Sequence, residues 1–141
     1  MCKLFGTSNK TLEPPTPRGI INKDDVKVIE SNTIFIRNVP EEIWLTTVAN
    51  TNSMLPMIDY GDLAILTNGF KHEELAIGDI VVYQANQSII HRITDIKETE
   101  DGQRIYTCKG DNNAGNDPYQ ILDEHITWLL IGIIYCKKEA T

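Results

Sequence analysis

The sequence predicts a mostly β fold, a compact antiparallel domain behind an extended N-terminal arm, and three observations carry that expectation. From Thr33 onward the chain is a series of short runs rich in valine, isoleucine, threonine and aromatic residues, separated by turn signals. Gly-Asp recurs at 61–62, 78–79 and 110–111, each time beside an apolar run. In such a pair glycine supplies a positive φ and aspartate caps nearby amides. Helical periodicity is scarce, confined to a turn after Ser53 and another around residues 118–124.

Taken in order, residues 1–30 read as the arm. Residues 1–10 show no period, and Pro14, Pro15 and Pro17 crowd into four positions, which resists helix and strand alike and favours an extended segment. Residues 31–141 read as the domain, with strands expected at 33–37, 45–49, 63–67, 80–84, 89–96, 104–108 and 128–135. Gly69 marks one reversal between strands, and Asp101-Gly102 a hairpin between Ile96 and Arg104.

At 141 residues the chain has room for one core, which needs no staple to be stable. Thirteen Lys and Arg against twenty Asp and Glu give a net charge of −7, the wrong sign for a nucleic-acid face, and 41% hydrophobic content excludes wholesale disorder. The longest apolar run, at 126–135, is about half of what a helix needs to cross a bilayer, and no leader pattern opens the sequence. Cys2, Cys108 and Cys136 are odd in number and far apart, so reduced thiols in a cytoplasmic protein are expected.

Three segments carry residues suited to chemistry. Ser53 follows a β-rich run and precedes Met-Leu-Pro, a corner from which its hydroxyl could project, although a serine there also serves as a simple turn cap. His91 lies in Ile-Ile-His-Arg-Ile, where alternation puts Ile89, His91, Ile93 and Asp95 on one face and Ile90, Arg92, Thr94 and Ile96 on the other. A histidine between isoleucines is either a satisfied core residue or a base suited to neutral pH. The stretch 110–117 holds two glycines, three asparagines and the aspartates Asp111 and Asp117, an ordered polar loop. One of its aspartates could orient an imidazole, or both could merely satisfy backbone. The spacing fits no calcium loop, the histidines and cysteines show no paired zinc spacing, and there is no phosphate-cradling glycine pattern, so no metal or cofactor is expected.

The order of these pieces is more specific than any one of them. Ser-Met-Leu-Pro at 53–56, Tyr-Gly-Asp at 60–62, Gly-Asp-Ile-Val-Val-Tyr at 78–83, Ile-His-Arg-Ile at 90–93 and Lys-Gly-Asp-Asn-Asn at 109–113 followed by Asp117 resemble the type I signal peptidases. The likeness is to their archaeal and endoplasmic-reticulum branch with a Ser/His pair, within a superfamily that includes the Ser/Lys signal peptidases and the self-cleaving LexA and UmuD proteins. The resemblance implies a twisted antiparallel β domain and a serine endopeptidase acting through an acyl-enzyme. It implies Ser53 as nucleophile, His91 as general base, Asp117 as third member of the triad and Asp111 as its support. The Ser53 backbone N–H and the Thr51 hydroxyl would hold the oxyanion. The substrate would lie as an added β-strand beside the serine, with small side chains before the cleaved bond.

Three departures from the family pattern stand out. Thr51-Asn52-Ser53 replaces the usual Ser-Gly-Ser, residues 1–47 contain no membrane anchor, and the larger substrate-side insertion is missing. Cleavage in trans of a protein or peptide substrate is therefore weighed against two alternatives. One is self-processing in the manner of UmuD, with Phe5-Gly6 and Arg18-Gly19 as bonds in the arm. The other is an inactive peptide-binding or dimerisation domain, supported by the lost glycine. A homodimer and a membrane-bound partner that recruits the domain both stay open; a nucleic-acid partner does not. A histidine base would give activity rising through about pH 6 to 7.

Overall fold

A computed structural model describes residues 14–138. The fold is mostly β and every strand pairing is antiparallel. Strands β1 (Val26–Ile29) and β2 (Thr33–Ile36) form a hairpin. The other seven form one sheet in the order β3-β4-β9-β5-β6-β7-β8, built from β3 (Ile43–Thr47), β4 (Leu63–Thr67), β5 (Ile80–Gln84), β6 (Ser88–Glu98), β7 (Arg104–Lys109), β8 (Ile121–Leu122) and β9 (Ile126–Ile134).

Strand β5 shows why the sheet is covered on both faces. Its run Ile-Val-Val-Tyr is buried throughout, and alternation sends Val81 and Tyr83 into one apolar cluster, Ile80 and Val82 into another. The first cluster includes Ile93, Tyr106, Cys108 and Ile121; the second joins Leu66 and Leu130 to Met54 and Ile58, which come from the turn after Ser53. Burying an aliphatic side chain of this size contributes about 1.5–3 kcal/mol, so Met54 and Ile58 pin that turn to the body.

Four local expectations are corrected. A strand, β1, lies inside the segment expected to be an arm, and residue 30 falls in the turn of its hairpin, because Val-Lys-Val-Ile is a short alternating run next to three charged residues. The run expected as a strand at 45–49 pairs instead as Ile43–Thr47, leaving Val48 and Ala49 free of the sheet. No helical turn spans 118–124; Ile121 and Leu122 pair with β7, and a single 3-10 turn follows at Asp123–His125. In β6 the alternation breaks at a bulge between Ile93 and Asp95, so Ile96 packs with Ile89 and Ile93 rather than opposite them.

Residues 14–22 carry neither helix nor strand. They are seated on the body all the same. Arg92 donates to the Pro15 carbonyl at 2.8 Å, the Arg18 amide donates to Asp79 at 3.0 Å, and Ile20 packs on the first cluster. Gly78, at φ +102°, makes room for this segment, since a Cβ there would stand 2.5 Å from the Thr16 carbonyl oxygen.

Candidate active site

Three segments far apart in sequence converge at the sheet. The turn carrying Ser53 leaves β3 through Val48 and Ala49 and reverses at Asn52, whose φ of +60° lies in the left-handed region. Asparagine is, after glycine, the residue that enters this region most readily, so the turn is attainable without a glycine at this position. The reversal is tied by Thr51 N–H to the Ala49 carbonyl at 2.8 Å and by Ile58 N–H to the Met54 carbonyl at 3.0 Å.

His91 sits opposite Val81 across the β5–β6 ladder, on the face of the first apolar cluster, and is buried. Its Nδ1 is 2.6 Å from Asp117 Oδ2 and its Nε2 is 3.1 Å from Ser53 Oγ. An ionised carboxylate only accepts, so Nδ1 carries the proton and Nε2 is left to accept from the Ser53 hydroxyl. Thr51 Oγ1 lies 3.1 Å from Ser53 Oγ and 3.4 Å from Ser53 N, beside both the hydroxyl and the amide.

The loop at 110–117 closes the arrangement from the far side of β7. Asp117 N–H donates to the Cys108 carbonyl at 2.8 Å, which turns its carboxylate toward His91. Asn112 N–H donates to the Ser53 carbonyl at 2.9 Å, and its side-chain amide to the Asn52 carbonyl at 3.0 Å, so the loop also holds the serine turn. Gly110 permits this closeness: a Cβ there would lie 2.7 Å from Ser53 O and 2.9 Å from His91 Nε2.

Asp111 does not reach the histidine. It takes a two-pronged ion pair from Arg92, with Nε to Oδ1 and Nη2 to Oδ2 each at 2.8 Å, while Nη1 donates to the carbonyls of Pro15 and Gly78. Arg92 is only 2% exposed, and a buried guanidinium needs such a full set of acceptors. The other two Gly-Asp pairs cap their turns, Asp62 accepting from the Asp59 amide and Asp79 from the Ala76 amide, and each also takes a distant donor, Lys138 at Asp62 and the Arg18 amide at Asp79.

Among the expected residues, then, Ser53, His91, Asp117 and Thr51 come together, and Asp111 stands one ion pair away. Sequence reasoning assigned no role to Arg92, Gly110 or Tyr83. Tyr83 is buried on β5 and its hydroxyl donates to Asp117 Oδ2 at 2.6 Å. Burial first, then the hydrogen bond to Asp117 and the charge of that carboxylate, raise its hydroxyl well above the usual tyrosine range. Cys108, buried beside the same aspartate, has its thiol pushed up to about 12, chiefly by burial, so it stays protonated and inert. No group of three or more metal-ligating side chains occurs among the described residues.

Beside Ser53 runs a groove of about 280 Å³, with Val48, Ala49 and Met54 on one side and Ser88, Ile89 and Ile90 on the other. Strand β7 pairs with β6 only from Arg92 onward, so the first residues of β6 have a ladder on the β5 side alone. The Ile93 amide bonds the Asp79 carbonyl toward β5, and by period 2 His91 and Ile89 turn their backbone groups the same way. The N–H and C=O of Ile90 therefore face the groove.

No family model and no solved structure matches the chain. Curated relatives do. A 75-residue segment is 39% identical to the signal peptidase complex catalytic subunit SEC11 of Lachancea thermotolerans, covering 50% of this chain and 43% of that protein. A 73-residue segment is 33% identical to SEC11 of Zygosaccharomyces rouxii, covering 50% and 42%. Another of 73 residues is 36% identical to human SEC11C, covering 50% and 38%. The chain thus matches less than half the length of these relatives. Over this half of its own sequence the chain is thus similar to catalytic subunits of signal peptidase complexes.

Proposed function

We propose that the chain is a serine endopeptidase of the Ser/His/Asp type that cleaves after small residues in a protein or peptide bound in trans. The observation that carries the reading is the unbroken relay from Ser53 Oγ through His91 to Asp117, at 3.1 and 2.6 Å. His91 Nε2 takes the hydroxyl proton as Ser53 Oγ attacks the scissile carbonyl, and Asp117 stabilises the imidazolium that forms. The oxyanion is met by the Ser53 N–H and the Thr51 hydroxyl, each such donor being worth on the order of 3 kcal/mol in the transition state. The imidazolium then protonates the leaving amine, and a water deprotonated by the same histidine releases the acyl group from Ser53. The substrate adds as a strand to the Ile90 edge of β6, with Val48 and Ala49 closing around its side chains.

Two features favour this reading over its rivals. Asn52 holds the left-handed turn, which weakens the one sequence argument for an inactive binding domain. The Arg18 end of the arm is bonded to Asp79, and no described arm residue lines the groove, which favours cleavage in trans over self-processing at Arg18-Gly19. Among the described residues no helix is long and apolar enough to cross a membrane. Since the relatives are named as subunits of a signal peptidase complex, a membrane-bound partner belongs to the proposal.

The test is intact mass over time for wild type and Ser53→Ala, alone and with a peptide library, between pH 6 and 9. Wild-type-only cuts at small residues in the library establish the peptidase. Wild-type-only loss of the arm would replace it with self-processing, and no cut in either would leave the binding domain.

A further inference from the structure

Two buried tyrosines each donate to an aspartate. Tyr106 reaches Asp123 Oδ1 at 2.7 Å, away from the serine, and Tyr83 reaches Asp117 Oδ2 at 2.6 Å, the oxygen that also accepts from His91 Nδ1. Tyr83 pairs with Ile89 across the ladder, so His91 is its diagonal neighbour on the same face, and the Asp117 carboxylate fills the gap between them. Tyr83 is 0% exposed, which leaves its hydroxyl no water to bond.

We infer that Tyr83 is a positioning residue for the proposed peptidase, fixing the Asp117 carboxylate against His91 and restraining its basicity. The inference rests on the peptidase reading above. A phenol sharing Oδ2 competes with His91 Nδ1 for the charge on that oxygen, so the imidazole N–H is held less tightly than by a carboxylate with no second donor. The groups facing Asp117 are His91 from β6, Tyr83 from β5 and Cys108 from β7, and Tyr83 in turn meets Tyr119, whose ring is 6.2 Å from its own. Burial raises the Tyr83 phenol and the Cys108 thiol, so both stay protonated beside the aspartate.

Tyr83→Phe removes the donor and keeps the ring. Its kcat should fall about 5- to 10-fold with KM unchanged, as expected for one lost bond to a charged group. The acidic limb of its kcat/KM profile should move up by about half a pH unit, because both the carboxylate and the imidazole then hold protons more tightly. Tyr106→Phe is the matched control; it should lower Tm comparably and leave the limb in place. In wild-type chain and in Tyr83→Phe the His91 Nδ1 proton is followed by NMR, where the variant should show a downfield shift. A limb and a proton resonance that stay put, as in Tyr106→Phe, overturn the inference. If no substrate is cut by wild type, the peptidase reading fails, and the resonance alone decides the role of Tyr83. Should Tyr83→Phe not fold, the wild-type resonance in 3-fluorotyrosine-labelled chain, whose more acidic phenol should shift it upfield, decides in its place.

Discussion

Asp111 and Asp117 stand at the two ends of one loop, share a side chain and are both nearly buried, yet they face different partners. Asp111 meets a guanidinium that is always charged; Asp117 meets an imidazole, which is charged only when protonated. The first pair cannot change state during a reaction, so what it supplies is shape: it anchors the loop to β6 and, through the other arm of Arg92, to Pro15 and Gly78. The second pair has a proton to move and a serine at the other nitrogen. On the proposed mechanism, one loop thus holds its frame at one end and offers its chemistry at the other, and the difference lies wholly in the partner.

Substitutions that respect this division should separate activity from stability. Asp117→Asn should lose about 10³–10⁴ in kcat, since an amide can donate to Nδ1 and select the wrong tautomer, while Tm moves little; peptide cleavage alongside thermal melts checks both. Asp111→Ala should do the reverse. It leaves a buried guanidinium without its carboxylate and should cost about 3–5 kcal/mol in a urea titration, with activity per folded molecule falling far less than in Asp117→Asn. Equal losses of kcat in the two variants would erase the distinction between the ends.

Between them sits Gly110→Ala, whose methyl would press on Ser53 O and His91 Nε2. We expect kcat down by about 10- to 100-fold from misplacement of the pair, with a smaller loss of stability than in Asp111→Ala. The smallest effect belongs to the serine turn. Asn52→Gly should be neutral to within about 0.5 kcal/mol and keep full activity, whereas Asn52→Val should cost about 1–2 kcal/mol, because a branched side chain resists the positive φ; denaturant midpoints for the two distinguish them.

The sequence carried the domain's strands well where they were apolar on both faces, as in 63–67 and 80–84, because burial from two sides leaves an unambiguous run. It misled at β1, where a run of only four residues follows three charged ones and buries none of its side chains, and along β6, where a bulge resets the alternation without any residue type to announce it. At the candidate site Ser53, His91 and the aspartates were legible from their order. Which aspartate met the histidine came from resemblance, not from spacing. Arg92 had a readable signal, since an arginine inside an apolar strand must find a carboxylate, but three Gly-Asp turns offered one and spacing did not choose among them. Tyr83 and Gly110 had none, since a tyrosine in a strand and a glycine in a loop are explained by β preference and turn chemistry alone.

The Arg92 junction has a consequence for how the chain acquires its shape. Its bonds join residues 77, 14 and 19 positions apart, and those of the site bridge 38 and 26. Contacts of this kind are repaid only after long loops have closed, which places them late in folding. A chain leaving the ribosome has its serine and its histidine well before Asp117 emerges, and through that interval it carries the parts of a peptidase without the relay. On the proposed reading, competence would then arrive only once residue 117 and the last strand of the sheet have emerged, so that a half-made or misfolded copy cuts nothing around it.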